Sequence, residues 1–322
     1  VIVTLTPNPS LDRTVHLDRL ERGHVHRARR ENEEPSGKGV NVTRALAANG
    51  VRSVAVLPVG GAAGEEIAAR LRAAGVAHVG VPVAGAVRAN VSLVEADGTT
   101  TKINGPGPAL SADENAALLD AVGRAAADGA AWVVGAGSLP PGADPALYAA
   151  AAEVSRDAGA RFALDSSGAA LAAGLEGRPD VVKPNVDELA EAVDAPVLTV
   201  GDAVAGARAL LARGARTVLV SLGPDGALLV DAEGARHAEA EAPVVRSTVG
   251  AGDALLAGYV AAPDGADPLR WALAWATAAV GVEGSAVPWV GAEGLARVRI
   301  GVPDVARELR DPALCPAVPS GR

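Results

Sequence analysis

The sequence predicts an α/β fold: a mostly parallel sheet with helices on both faces, plus a small antiparallel β flap. Three observations carry this expectation. Short apolar runs alternate with Ala-rich helical stretches along most of the chain. The runs are continuously apolar, as strands covered on both faces are. Two segments, 12–34 and 87–103, break the alternation, the first with dense charge and the second with two short strands around an Asp-Gly turn.

In order, "VIVTLT" (1–6), "SVAVLPV" (53–59), "AWVVGA" (131–136), "RFALD" (161–165), "DVVKPN" (180–185) and "RTVLVS" (216–221) read as buried strands. Helical stretches separate most of them, at 39–49, 64–74, 111–128, 145–158, 186–193 and 202–213. Two consecutive apolar helices follow between about 252 and 282, and the tail from about 302 is expected to fray at its end. "WALAWATAAVGVEG" is too short to span a membrane and reads as a buried helix. The organisation expected is one domain over 1–310, a β lid from about 10–36 and 84–105, and a C-terminal tail at 311–322.

The 322 residues are 49% hydrophobic but only 2% aromatic, so Ala, Val and Leu must fill the core. A net charge of -9 gives no support for a nucleic-acid or membrane partner, yet leaves room for an anionic substrate held by a few local cations. Cys315 has no internal partner for a disulfide, which fits a reducing, cytoplasmic compartment. "VIVTLTPNPS" lacks the basic and long apolar regions of a signal peptide.

Five motifs carry candidate chemistry. In "STVGAGDALLAGY", Gly250, Ala251 and Gly252 let backbone N–H groups approach an anion at a helix start. Asp253 would repel that anion unless it takes a proton from a hydroxyl attacking a phosphate. The string also reads as an ordinary Gly-rich turn with an aspartate cap. In "PSGKGVNVTRAL", Lys38 can meet an anion and Asn41 can pair with hydroxyls, although the spacing is not that of a Walker A loop. In "KPNVDEL", Asn185 and Glu188 share the first turn of a helix, which suits either a hydrated Mg²⁺ or a capping box. "SLGPDGALLV" places Gly223 and Gly226 between two strands, as a hairpin also would, and "GAGSLPPG" ends a strand in a Gly- and Pro-rich loop. Four of the five motifs end a strand and the fifth opens a helix, so they gather where open parallel sheets bind ligands.

The chain resembles the ribokinase-like (PfkB-type) carbohydrate kinases. The family's order is present: "GKGVN", "GSLPPG", "DSSG", "KPNVDEL", "SLGPDG", then "STVGAGD". "TPNPSLDRTV", "TTTKINGPGPAL" and "LDSSGAAL" make it most similar to the 1-phosphofructokinases of the hexose-phosphate branch. The resemblance implies that Asp253 is the catalytic base and that Gly250, Ala251 and Gly252 form the anion hole. It implies that Asp12, Gly37, Asn41 and Ser138 line the sugar site. Arg88 and Lys102, with Lys38 and Arg27 as weaker candidates, would meet the substrate's existing phosphate. Lys183, Asn185 and Glu188 would serve the nucleotide phosphates and Mg²⁺, the last two holding the metal through water. Ser221, Gly223 and Gly226 would line the ATP site, and the lids of two subunits would pair in a homodimer.

The pattern is departed from at Ser247, where many relatives that bind a monovalent cation carry Asp, and at Ser36, Val87 and Gly105. The activity implied is ATP-dependent phosphorylation of fructose 1-phosphate at its 6-hydroxyl. Tagatose-6-phosphate kinase and 6-phosphofructokinase are the near alternatives. Ribose or a nucleoside would leave Arg88 and Lys102 without a purpose. A sugar-phosphate-binding regulator without catalysis would have no need of Asp253.

Overall fold

The strand that opens the chain is buried on both faces, as its unbroken apolar run predicts. The computed structural model describes residues 1–242, 244–282 and 284–310. The first part comprises β1 (Ile2–Leu5), β2 (Ser10–His16), β3 (Arg30–Ser36), α1 (Lys38–Ala48), β4 (Ser53–Val59), α2 (Gly61–Ala73), β5 (His78–Pro82), β6 (Arg88–Val94) and β7 (Thr100–Ile103). Next come α3 (Ala112–Ala127), β8 (Trp132–Ala136), α4 (Leu147–Asp157), β9 (Arg161–Asp165), α5 (Gly168–Gly174), β10 (Val181–Val182), α6 (Val186–Val193) and α7 (Val200–Ala212). The last part holds β11 (Val218–Ser221), β12 (Ala227–Val230), β13 (Ala235–Glu239), α8 (Ala251–Ala261), α9 (Pro268–Ala279), α10 (Ala292–Ala296) and β14 (Arg299–Gly301).

Ten strands form one sheet in the order β14-β13-β12-β11-β10-β9-β8-β1-β4-β5. From β11 to β5 every neighbouring pair is parallel, and β12, β13 and β14 add an antiparallel edge. The chain leaves β1 toward β4 and β5, then returns to place β8 on the other side. The order therefore reverses between β1 and β8, and in open α/β sheets the ligand crevice lies beyond the carboxyl ends at such a point.

Side chains alternate across the sheet. Val3, Leu5, Val133, Phe162 and Leu164 pack under α3, α4 and α7. Ile2, Trp132, Val134 and Ala163 pack under α1, α8 and α9. Helices thus cover both faces. The apolar stretch around Trp271 is buried helix α9, and no helix among the described residues is long and apolar enough to cross a membrane.

The lid is a four-stranded sheet, β3-β2-β6-β7. Its outer pairs are antiparallel, as expected, but the central pair β2–β6 runs parallel, with Ser10 opposite Arg88 and Asp12 opposite Asn90. Residues opposite one another share a face. Asp12, Arg88, Asn90 and Lys102 therefore project from one side of the lid. From the other side Leu11 meets Leu57, Ile67 and Leu71 of β4 and α2.

Two further sequence expectations are corrected. Residues 180–185 supply only two ladder residues, because Pro184 has no N–H to donate. The short helix α5 was not anticipated, since its "GAALAAG" has little helical periodicity. The segment up to Arg310 is held, with Val200 N donating to Arg307 O at 2.9 Å and Leu309 N to Leu198 O at 2.8 Å. The fraying expected at the very end of the tail, in 311–322, lies outside the described residues.

Helix α8 is apolar on nearly all sides because it lies between the sheet and α9. The two helices approach closely at Gly258, where a Cβ would come within 2.5 Å of Trp271 O. Gly258→Ala is expected to destabilise the protein by about 1–3 kcal/mol, because two backbones must separate. Urea unfolding followed by circular dichroism checks this.

Candidate active site

Asp253 lies in the first turn of α8, at the carboxyl end of the sheet. The helix begins at Gly250, whose φ of 78° is left-handed and whose Cβ position lies only 3.0 Å from Ser285 Cα. Another residue there would meet both strain and a backbone clash. Ala251 N donates to Thr248 O at 3.3 Å, while the amides of Gly252 and Asp253 have no hydrogen-bond partner among the described residues. A Cβ on Gly252 would sit 3.4 Å from Lys183 Nζ. Free amides, a helix N-terminus and an ammonium thus converge on one point suited to an anion.

The Asp253 carboxylate is 8% exposed and accepts a hydrogen bond from Asn41 Nδ2 at 2.8 Å. Asn41, expected to meet sugar hydroxyls, is thus the group that orients the carboxylate. Burial, then the negative charge of Asp165, pushes the Asp253 carboxyl up to about 6, against the Asn41 hydrogen bond and the Lys38 and Lys183 charges. A carboxylate so poised suits proton abstraction near neutral pH.

Asp165 ends β9 with no solvent exposure. Its Oδ1 accepts from Lys38 Nζ at 2.7 Å. Lys183 Nζ is 3.2 Å from Oδ2, an ion pair that falls short of an aligned hydrogen bond. Lys38 Nζ also donates to Glu188 Oε1 at 2.9 Å. Burial disfavours the Lys38 ammonium, but Asp165 and Glu188 outweigh it and hold its pKa above the ordinary lysine value. Lys38, expected near the substrate's phosphate, has its ion pairs instead on β9 and α6. Asn185 and Glu188 form a reciprocal capping box, with Asn185 N to Glu188 Oε2 at 2.9 Å and Glu188 N to Asn185 Oδ1 at 2.7 Å.

On the lid side, Asp12 Oδ1 accepts from Ser10 Oγ at 2.6 Å and Asn90 Nδ2 at 3.0 Å. The half-buried Arg88 donates through Nη1 to Gly105 O and through Nη2 to Asn8 O, each at 3.0 Å. Its Nε is buried without a partner among the described residues. Ser138 Oγ accepts from Asn8 Nδ2 at 3.3 Å, and Gly37 caps α1 where a Cβ would strike Thr6. Lys102 stands opposite Ser92, four residues along β6 from Arg88, or about 13 Å of strand. It is exposed, as is Arg27 in the loop between β2 and β3. Arg88 and Lys102 share a face without meeting.

On the other side of the crevice, Ser221 ends β11 and bridges to Asn185, with its amide donating to Pro184 O at 3.0 Å. Gly223 and Gly226 bound the turn into β12, so the hairpin reading of this motif also holds.

Sequence reasoning assigned no role to Asp165, Asn90 or Asn8. Asp165 was within reach of it, as the carboxylate at a strand end in "LDSSG". Asn90 required the parallel lid register, which no local pattern reveals.

The model of the pfkB family carbohydrate kinases matches residues 6–289. The chain belongs to the pfkB family of carbohydrate kinases. It is 36% identical over 261 residues to the 1-phosphofructokinase of Bacillus subtilis, covering 81% of this chain and 85% of that one. It is 37% identical over 259 residues to the ATP-dependent 6-phosphofructokinase isozyme 2 of Mycobacterium tuberculosis, covering 80% and 76% respectively. The crystal structure of phosphofructokinase-2 from Escherichia coli in complex with potassium superposes with a TM-score of 0.84 at 33% identity, covering 92% of this chain and 96% of that one. This pfkB-family chain is a sugar-phosphate kinase, a phosphotransferase with an alcohol group as acceptor and ATP as donor.

Asp253→Asn is expected to cut turnover by about two or more orders of magnitude. It should also stabilise the unliganded protein. The folded carboxyl ionises near 6 instead of 3.8, so its charged form costs stability above pH 6, and the cost vanishes below 3.8. The gain should be on the order of 1–3 kcal/mol at pH 8 and shrink as the pH falls through 6. Melting curves of both proteins at pH 5 and pH 8 check the sign.

Proposed function

We propose that the protein transfers the γ-phosphoryl group of ATP to the 6-hydroxyl of fructose 1-phosphate, forming fructose 1,6-bisphosphate. The observation that carries this reading is Arg88. Its guanidinium is half-buried on the same lid face as Asp12, with a buried Nε that no group among the described residues satisfies. A substrate that already bears a phosphate supplies the missing acceptor and the charge. A sugar without a phosphate offers acceptor hydroxyls but no charge to meet the guanidinium.

Asp12, held by Ser10 and Asn90, binds sugar hydroxyls, with Gly37 and Ser138 beside it. Asp253 Oδ takes the acceptor hydroxyl's proton while that oxygen bonds to the γ-phosphorus and ADP departs. Asn41 keeps the carboxylate aimed. The Gly252 and Asp253 amides and the Lys183 ammonium receive the charge on the transferring group. Ser221, Gly223 and Gly226 line the nucleotide.

Direct ligation of Mg²⁺ by Asn185 and Glu188 would compete with the capping box and with Lys38, but contact through water leaves these bonds intact. These residues fit a hydrated Mg²⁺, which would screen the nucleotide phosphates. The exposed edge strand β7, with Ile103 59% exposed, supports pairing of two lids in a homodimer. The cytoplasm is the compartment proposed.

The Mycobacterium tuberculosis relative favours a second reading, fructose 6-phosphate as acceptor. A coupled ADP-release assay comparing fructose 1-phosphate, fructose 6-phosphate, tagatose 6-phosphate and ribose should give the highest kcat/KM with fructose 1-phosphate. Preference for a 6-phosphate reverses the sugar in the crevice. Arg88→Ala should raise the sugar-phosphate KM about tenfold or more, with the ATP KM unchanged. An unchanged sugar KM places the phosphate elsewhere. The acid limb of kcat/KM should fall near pH 6, where Asp253 protonates.

A further inference from the structure

The turn from β11 to β12 contains a carboxylate with no part in the chemistry above. Asp225 is 1% exposed, at the end of the single helical turn Gly223–Asp225. Three donors from beyond β14 converge on it. Arg307 Nη2 and Arg310 Nε reach Oδ1 at 2.6 and 2.8 Å, and the Arg310 amide reaches Oδ2 at 2.7 Å. Arg310 also donates to Pro224 O, and Arg307 Nη1 donates to Glu239 of β13 at 2.5 Å. His237 Nε2, on β13, lies 2.7 Å from the Asp225 carbonyl oxygen. Burial pushes the Asp225 carboxyl up, but the Arg310 amide and the two guanidiniums outweigh it and hold it below the ordinary value.

The same segment is fastened to the entry of α7, where Val200 N donates to Arg307 O at 2.9 Å and Gly201 N to Val305 O at 3.0 Å. Residues 302–310 thus form a strap that joins α7 to the turn after β11. A hairpin turn of four residues closes without help from more than 80 residues away. A buried carboxylate with two guanidiniums is also a costly way to gain stability alone. What it provides is one fixed position for the turn. That turn begins two residues after Ser221, which bridges to Asn185 on the active-site rim.

We propose that Arg307 and Arg310 are positioning residues of the nucleotide site, holding the Gly223–Gly226 turn through Asp225 in the shape that receives ATP. The inference rests on the reading of this turn as part of the nucleotide site.

The test is steady-state kinetics on the double variant Arg307→Ala, Arg310→Ala of the full chain. The ATP KM should rise about tenfold or more, while the sugar-phosphate KM and kcat at saturating ATP stay within about twofold. Arg307→Lys with Arg310→Lys, which keeps both charges, should recover most of the loss. Arg310→Ala alone, at a guanidinium 58% exposed, leaves Arg307 on the carboxylate and should give a smaller rise in the same KM even if the double variant fails to fold. An unchanged ATP KM with a lower melting temperature makes the strap a structural staple and overturns the proposal. Equal rises in both KM values overturn it too. Hydrogen exchange of the unaltered enzyme, with and without a non-hydrolysable ATP analogue, separates the two readings. Absence of protection across 221–226 removes the nucleotide reading and the inference with it. Protection there, with an unchanged ATP KM in the variants, overturns the inference alone.

Discussion

A carboxylate shut off from water cannot stay ionised without cations at hand, and Asp165 is held by two. Lys38 comes from the first turn of α1 and Lys183 from the loop after β10. The bond from Lys38 onward to Glu188 brings in α6. One buried charge therefore sets the spacing of three elements around the crevice. It also acts at a distance, because its negative charge is part of what keeps Asp253 reluctant to ionise. Removing one partner from such a cluster is costlier than the cluster's net contribution to stability, since an uncompensated charge remains.

The lysines resolve a conflict within the site. Phosphoryl transfer needs a base, and a base near phosphates is repelled by them. Here Asp253, the base in the proposed reaction, is fixed by an amide, Asn41, and not by a cation that would depress its basicity further. The cations are spent on Asp165 and Glu188, close enough to serve an incoming phosphate. Lys183, beside Gly252, is where the two demands meet.

Much of this was legible in the sequence. The continuous apolar runs revealed the parallel sheet, because burial on both faces removes alternation. The Gly-Ala-Gly-Asp string located the start of α8 and placed Asp253 in its first turn. The partners were harder to read. Lys38 reads as an anion contact until β9 is placed beside α1. Asn185 and Glu188 read as a capping box or a metal site, and the structure shows the box. Asn90 was hidden because it meets Asp12 only through a parallel pairing between strands far apart in the chain.

That parallel pairing bears on how the molecule assembles. The lid's centre joins residues 78 apart in sequence, and β4, β5 and the helices between them must be threaded first. Two antiparallel hairpins form locally, but the seam between them has a high contact order. Closing that loop costs chain entropy, and the cost is smallest once the core of β1, β4 and β5 holds the ends together. The lid is thus expected to fold late, so that the face bearing Asp12 and Arg88 is completed after the helix start that carries Asp253.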